Sequence, residues 1–310
     1  KQMNVGVIGG SGFIGSHVVD KLVDAGHNVT VFDIMKPHRD DVQHKYIDIT
    51  DLTNTTVALA GDYEAIYLLA AMADVNDCFK NPVATIQVNV LGVANVLEAC
   101  VKNEINRIVF SSTAAIYGNA TEMPVSETTV TSCQSPYAED KLAAEVAILH
   151  SGIESISLRY FNVHGPRQNP DGAYAAVIPA FIQMLMDQQS PTIFGTGAAT
   201  RDFVKVSDVA ELNFSALTTD NENALGEVYN VASGSTLSVL ELFTTLRDIL
   251  ATKQVEISQV EPTFAPQREG DILHSSASIE KAKELLGFNP ETNPHLALTG
   301  TVESYWEMRA

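Results

Sequence analysis

Gly9-Gly10-Ser11-Gly12-Phe13-Ile14-Gly15 is the stretch that decides the fold. It follows the apolar run Val5 to Ile8, which reads as a short strand. It opens the segment Gly12 to Ala25, where Phe13, Ile14, Val18, Leu22 and Val23 recur at helical spacing. Gly26 supplies the helix stop. A glycine-rich turn between strand and helix lets a pyrophosphate approach the backbone amides at a helix N-terminus. The turn satisfies Gly-x-Gly-x-x-Gly through Gly10, Gly12 and Gly15. It also satisfies Gly-x-x-Gly-x-x-Gly through Gly9, Gly12 and Gly15. Turns collect glycine anyway; the strand before and the amphipathic helix after make this one a dinucleotide fingerprint. Asp33 ends the next strand, Asn28 to Phe32, 18 residues after Gly15. A carboxylate there accepts from both adenosine ribose hydroxyls and repels a 2′-phosphate, which points to NAD rather than NADP. Arg39, the cation that a 2′-phosphate would need, lies further along the loop.

Strand and helix patterns alternate outward from this turn. Tyr46 to Ile49 reads as a third strand and Ala65 to Leu69 as a fourth. Val83 to Val101 reads as a long helix, Arg107 to Phe110 as a strand leading into Ser111, Tyr137 to Leu149 as a helix and Ser155 to Arg159 as a strand. Such alternation implies an α/β fold, a Rossmann-type doubly wound parallel sheet covered by helices. After about residue 162 the pattern changes. Loops rich in Gly, Pro, Asn and Gln (Gly165 to Gly172, Ser190 to Thr200, Pro262 to Asp271) separate helices at Ile178 to Met186, Leu237 to Leu250 and Ile279 to Leu286. The expected organisation is a dinucleotide-binding domain of residues 1–162 and 203–232. A smaller α/β lobe of residues 163–202 and 233–310 shares one interface with it.

The 310 residues hold 38 Asp plus Glu against 19 Lys plus Arg, a formal charge of −19. Such a surface repels a phosphate backbone, so nucleic acid is not expected as a partner. A few convergent arginines still bind a small anion locally. The longest apolar run, Ala65 to Ala73, is too short for a membrane span and reads as a buried strand. The N-terminus enters a strand directly, so neither a membrane partner nor a secretory segment is expected. Cys78, Cys100 and Cys133 are widely spaced without a Cys-x-x-Cys pair, which argues for a reducing, cytoplasmic setting. The eight histidines contain no His-x-x-x-His pair, so no metal is expected.

Tyr137 and Lys141 are spaced i, i+4, facing the same way on one helix. Proton transfer at a sugar hydroxyl needs a base near neutral pH, and a free tyrosine titrates at about 10. A neighbouring ammonium stabilises the phenolate, as does an oxidised nicotinamide. Read alone, the pair is as ordinary as any helix surface pair. Further motifs change that reading: Asp48-Ile49, Leu69-Ala70-Ala71, Asn89-Val-Leu-Gly92, Asn95-Val-Leu-Glu98, Ser111-Ser-Thr113-Ala-Ala-Ile-Tyr117-Gly118 and Arg159-Tyr-Phe161-Asn162-Val-His164-Gly165.

Taken together, in this order, the motifs resemble the extended short-chain dehydrogenase/reductase superfamily. Within it they resemble the NAD-dependent nucleotide-sugar epimerase/dehydratase branch, nearest its UDP-glucose and UDP-N-acetylglucosamine 4-epimerases. The resemblance runs from Gly9 to about Leu286. It implies that Gly9, Gly12, Phe13, Ile14 and Gly15 meet the NAD pyrophosphate and Asp33 the ribose. It places Asp48 and Ile49 at the adenine and Leu69, Ala70, Ala71, Asn89, Ser111 and Phe161 along the cofactor. Thr113 aligns with the catalytic hydroxyl, beside Tyr137 and Lys141, which also bind the cofactor. Three departures stand out: Leu68 where the family usually has His, His164 where it usually has an aromatic residue, and Ala138-Glu139-Asp140 where Gly-x-Ser is commoner.

The resemblance carries into the later loops. It implies that Asn162, Arg201 and Arg268 hold a diphosphate, that Asp271 faces a nucleotide ribose, and that Ile193 and Phe194 lie against uracil. Two arginines aimed at one point suit a diphosphate. Family dehydratases carry Asp or Glu beside the catalytic threonine. Here Ala114 and Ala115 follow Thr113, and alanine transfers no proton. The expectation is therefore UDP-hexose 4-epimerisation through a 4-keto intermediate. Ser275, small where a bulky family residue restricts the pocket, extends it to UDP-N-acetylglucosamine. A uronate 4-epimerase, a 4-keto reductase and a non-enzymatic dinucleotide sensor are the alternatives. A homodimer is expected through a four-helix contact of Val83 to Val101 and Pro136 to His150.

Overall fold

The computed structural model describes residues 1–170 and 176–309. Strand β1 (Asn4–Ile8) runs through the glycine turn into α1 (Phe13–Asp24), followed by β2 (Asn28–Phe32) and β3 (Gln43–Lys45). Next come α2 (Leu52–Ala58), β4 (Ala65–Leu68) and α3 (Val75–Lys80). Helices α4 (Pro82–Ile86) and α5 (Gly92–Lys102) join through a π-helical turn at Gln87–Leu91. Then β5 (Arg107–Thr113), α6 (Pro136–Leu149) and β6 (Glu154–Tyr160) complete the first half. Beyond lie β7 (Asn162–His164), α7 (Val177–Met186), β8 (Thr192–Phe194), β9 (Thr200–Arg201), β10 (Phe203–Lys205), α8 (Val206–Thr218) and β11 (Glu227–Val231). Last come β12 (Leu237–Ser238), α9 (Val239–Ala251), β13 (Thr263–Ala265), α10 (Glu280–Leu286) and α11 (Pro294–Arg309).

Seven parallel strands form the central sheet in the order β11-β6-β5-β4-β1-β2-β3. The order reverses between β1 and β4. That switch opens a crevice at the carboxyl ends of the strands, where ligands bind in open α/β sheets. Side chains alternate across the sheet. Val5, Val7, Val29, Val31, Ala65 and Tyr67 enter one core with residues of α1, α8 and α10. Ile8, Phe32, Ile66 and Leu68 enter the opposite core with residues of α5 and α6. Burial on both faces explains why these strands read as nearly unbroken apolar runs. A third core gathers Ile182, Leu185, Phe243, Leu246 and Val302 from α7, α9 and α11.

The structure corrects several boundaries. The third strand is Gln43–Lys45, not Tyr46 to Ile49. Ile47 and Ile49 are buried there by an irregular segment that Asp48 turns through bonds to the Thr50 amide and hydroxyl. The apolar run to Ala73 is strand only to Leu68. Leu237 pairs with Arg201 as β12, and α9 starts one residue after Ser238, which forms a capping box with Glu241 worth about 1 kcal/mol. Helix α10, expected in the second lobe, packs on the first core through Ala282 and Leu286. The loop Gly165 to Gly172 is described to Pro170; its last two residues lie outside the described residues. Helix Pro82–Lys102 has the length and hydropathy of a membrane span, which the sequence reading overlooked because Asn89 and Asn95 interrupt it. Half of that apolar stretch is buried within the protein, where Asn95 donates to the Ile49 carbonyl.

Candidate active site

The glycine turn is shaped by close approach. Gly9 has φ +87°, and a Cβ on it would lie 2.5 Å from the Ala70 amide nitrogen. A Cβ on Gly15 would lie 2.1 Å from the Gly9 carbonyl oxygen. Gly12 differs, because its Cβ direction meets only the Gly9 oxygen, at 3.5 Å. Gly12 begins α1 with no capping side chain, so the first-turn amides of Phe13 and Ile14 face the crevice mouth without one. This is the geometry of an anion cradle at a helix N-terminus. Leu69 and Ala70 both donate to the Ile8 carbonyl, which brings the end of β4 against the turn.

Asp33 sits beside that cradle. Its carboxylate accepts from the Ser11 amide at 3.0 Å and the Met35 amide at 2.9 Å, leaving lone pairs for a ribose diol. Arg39 is committed elsewhere. It is bidentate to Asp41 and also donates to Asp20, which raises its pKa further. A 2′-phosphate would therefore meet Asp33 first. Asp48 is half-buried at the neighbouring rim, its amide held by Asn54. Ile49 is buried against Gly92. Asn89 is 1% exposed and exchanges both of its amide hydrogen bonds with the Met72 backbone. It therefore braces the segment that follows Ala71 rather than opening onto the crevice.

Tyr137 and Lys141 are both buried on the first turns of α6, with the Lys141 ammonium 6.0 Å from the Tyr137 ring centroid. Ser135 caps that helix and Pro136 starts it, which fixes where the pair is presented. Lys141 donates to the Ser111 carbonyl at 2.8 Å. Burial lowers its pKa to about 8, with the Glu145 carboxylate opposing. Ser111 therefore contributes its backbone here, since its hydroxyl bonds Tyr160 inside the sheet. Two residues on, Thr113 ends β5 and its hydroxyl accepts from the Ala115 amide. Phe161 is buried and stacks on Tyr117.

Two cavities gather the later residues, and the smaller includes Ala114, the chain neighbour of Thr113. One, of about 710 Å³, is lined by Ile193, Phe194, Arg201, Arg268 and Asp271, and the Arg268 guanidinium lies 3.7 Å from the Phe194 ring centroid. Asp271 partly offsets the burial that lowers the Arg201 pKa. Asn162, on β7, does not line this cavity; its side-chain amide donates to the carbonyl of Asp202, next to Arg201. The second cavity, of about 330 Å³, contains Ala114, Ala115, Tyr117, Phe161 and Ser275. Ile272 lines both, so the 271–275 segment is their shared wall. Thr200 pins that segment through the Leu273 carbonyl and the Ser275 amide.

Sequence reasoning missed a buried network beneath the centre. Glu145 forms a bidentate pair with Arg159 and accepts from Ser112, and Arg159 also donates to the Tyr117 hydroxyl. The i, i+4 spacing of Lys141 and Glu145 was the available signal. It also missed Asp202, whose carboxylate accepts from the Ser233 amide, the Ser233 hydroxyl and the Gly234 amide. Val75, Phe79 and Met123, which line the smaller cavity, carry no motif at all.

A family model described as NAD dependent epimerase/dehydratase family matches residues 5–232. The chain is 32% identical over 315 residues to a Lacticaseibacillus casei UDP-glucose 4-epimerase, covering 93% of this chain and 92% of the relative. Its structure is similar to the Thermotoga maritima UDP-glucose 4-epimerase with UDP-glucose, with TM-score 0.89, 32% identity, and coverage of 99% and 100% of the two chains. It is equally similar to a Methanobrevibacter ruminantium UDP-N-acetylglucosamine 4-epimerase in complex with UDP-N-acetylmuramic acid, with TM-score 0.89, 33% identity, and 99% of each chain covered.

Proposed function

The chain belongs to the NAD-dependent epimerase/dehydratase family, and on that premise we propose that it interconverts the C4 epimers of UDP-hexoses. Its substrates are the UDP-glucose/UDP-galactose pair and the UDP-N-acetylglucosamine/UDP-N-acetylgalactosamine pair. One observation carries the choice within the family. The smaller cavity adjoins Thr113 through Ala114 and Ala115, and its described lining residues include no Asp, Glu, Lys, Arg or His. Without a second acid or base there, the 4-keto sugar has no group to remove water. Without a cation, a hexuronate carboxylate would be desolvated unpaired.

The cradle at Gly12, the free lone pairs of Asp33 and the buried ammonium of Lys141 would hold NAD, which would supply a reversible hydride acceptor for C4. Tyr137 removes the C4 hydroxyl proton as phenolate and gives it back. Thr113 hydrogen-bonds the reacting oxygen. Lys141 holds the nicotinamide ribose and stabilises the Tyr137 phenolate by its charge. Arg201, Arg268 and Asn162 grip the nucleotide diphosphate, Asp271 accepts from the nucleotide ribose, and Ile193 and Phe194 lie against the base. The sugar, held more loosely beside Ser275, turns about its diphosphate link and presents its other face. Gly9, Gly15, Phe13, Ile14, Asp48, Ile49, Leu69, Ala70 and Ala71 form the cofactor bed, with Asn89, Ser111 and Phe161 behind it.

The same reading extends to assembly. Val83, Ile86, Leu91 and Val101 on α4–α5 and Val146 and Leu149 on α6 are exposed apolar residues. We propose that they pair two copies in a four-helix contact, and that the lobes divide near residues 162, 203 and 232. The free thiols Cys78, Cys100 and Cys133 suit the reducing cytoplasm, where we place the protein. The decisive experiment incubates the protein with UDP-glucose or UDP-N-acetylglucosamine, without added reductant, and resolves products by NMR. Galacto isomers in both reactions are expected. No galacto isomer from either sugar, together with stoichiometric NADH consumption on a UDP-4-keto-hexose, would instead identify a reductase.

A further inference from the structure

The smaller cavity includes large apolar side chains from several segments. Val75 and Phe79 come from consecutive turns of α3, Met123 from the loop after Tyr117, and Ile272 from the shared wall. Phe79 is 57% exposed and Met123 37% exposed, so water reaches both. Exposed large apolar side chains rimming a ligand cavity lose that water when an apolar ligand group covers them. The same cavity is lined by small residues, Ala114, Ala115 and Ser275, which leave room for a substituent. The polar lining groups include the side-chain amides of Asn119 and Gln134, which suit hydroxyl and amide partners.

Resting on the epimerase reading above, we propose that Phe79, with Val75 and Met123 beside it, is the specificity-determining wall that receives the acyl chain of 2-acylamino sugars. Its occupant is the methyl end of the N-acyl group. The hydroxyl that UDP-glucose carries at the same carbon gains nothing from the ring. Phe79 acts on substrate choice and leaves proton and hydride transfer to the centre at Tyr137.

The test compares wild type, Phe79→Ala and Phe79→Leu on UDP-glucose, UDP-N-acetylglucosamine and UDP-N-propionylglucosamine. Phe79→Ala is expected to lower kcat/KM for the acetylated sugar roughly fivefold and for the propionylated sugar more, through KM, with UDP-glucose changed less than twofold. Phe79→Leu should restore most of the loss. Because the epimer equilibrium belongs to the sugars, forward and reverse kcat/KM must fall by the same factor. An equal loss on all three sugars, or no loss on the acylated two, would overturn the proposal while leaving the epimerase reading intact. A wild-type protein that turns over none of the three sinks the epimerase reading and this wall with it. Since Phe79 is exposed, both variants are expected to fold, and unchanged melting temperatures would verify it.

Discussion

The Lys141 ammonium donates to the Ser111 carbonyl at 2.8 Å, one helical turn beyond Tyr137 and two residues before Thr113 on the strand. This bond positions the charge that the phenolate needs, at a cost in stability. The Lys141 pKa falls from the ordinary 10.5 to about 8 through burial. Between those values the unfolded chain holds a proton that the folded chain lacks, so this group makes stability rise with pH from about 8 to 10.5. Below pH 8 it holds folding back by on the order of 3 kcal/mol. Lys141→Met should therefore reduce kcat by about 10²–10⁴ while raising Tm at pH 7 by a few degrees. Thermal melts at pH 7 and pH 10 should show the gap between variant and wild type narrowing at the higher pH. A variant less stable at pH 7 would contradict this account of the burial.

Arg268 tests the nucleotide grip. Its guanidinium lies over the Phe194 ring, and both line the larger cavity with Arg201. A forked donor is matched to a diphosphate, and lysine is a point charge that does not replace it. Arg268→Met should raise KM for UDP-sugars by roughly 10- to 100-fold with kcat within about twofold, because the diphosphate contact is the same before and during reaction. Arg268→Lys should recover only part of the affinity. A fall in kcat at unchanged KM would move Arg268 into the reacting centre.

The glycine turn, Asp33, Tyr137 and Lys141 were legible because each depends on local spacing along one strand-helix unit. The smaller cavity was not, since it arises where Ala114 meets Ile272 and Ser275 from segments more than 150 residues apart. Asn89 and Ser111 were legible as motif positions but not in orientation: which side of a strand or helix meets Met72 or Tyr160 depends on packing. Tyr46 to Ile49 misled because buried isoleucines alternate there as in a strand, while Asp48 spends its side chain on a local turn. Helix α11 was missed because neither of its faces is clearly apolar; its stability comes from Leu298, Val302 and Tyr305 in the third core.

Asp33 governs cofactor choice. Asp33→Asn replaces one carboxylate oxygen, which now accepts from the Ser11 or Met35 amide, with a donor. Affinity for NAD should fall by roughly 10-fold or more, since charge-assisted bonds to the ribose are lost. NADP should gain little, because Arg39 stays bidentate to Asp41. Calorimetric titration of both dinucleotides into cofactor-stripped protein measures this directly. A switch to strong NADP binding would mean that Arg39 leaves Asp41 readily.

His164 is fully buried where β7 meets β10, and its Nδ1 lies 2.8 Å from the Thr301 hydroxyl of α11. Burial, helped by the Lys205 charge, lowers its pKa from 6.5 to about 3. From pH 6.5 down to about 3 the unfolded chain binds a proton that the folded chain refuses. Acid therefore removes stability across that window, by roughly 1.4 kcal/mol per pH unit at most. Asp202 works in the opposite sense. Burial raises its pKa from 3.8 to about 6, so the folded chain holds the extra proton between those values and stability is lost as pH rises through them. The two slopes partly cancel in the wild type. His164→Phe keeps an aromatic ring and removes one of them, so the urea midpoint should fall less steeply between pH 6.5 and 4 than in the wild type. Above pH 7 the variant should be less stable by about 1 kcal/mol, because the Thr301 hydroxyl loses its partner. The two stability curves should then cross on acidification, and parallel curves would show that His164 already accepts a proton in the folded protein.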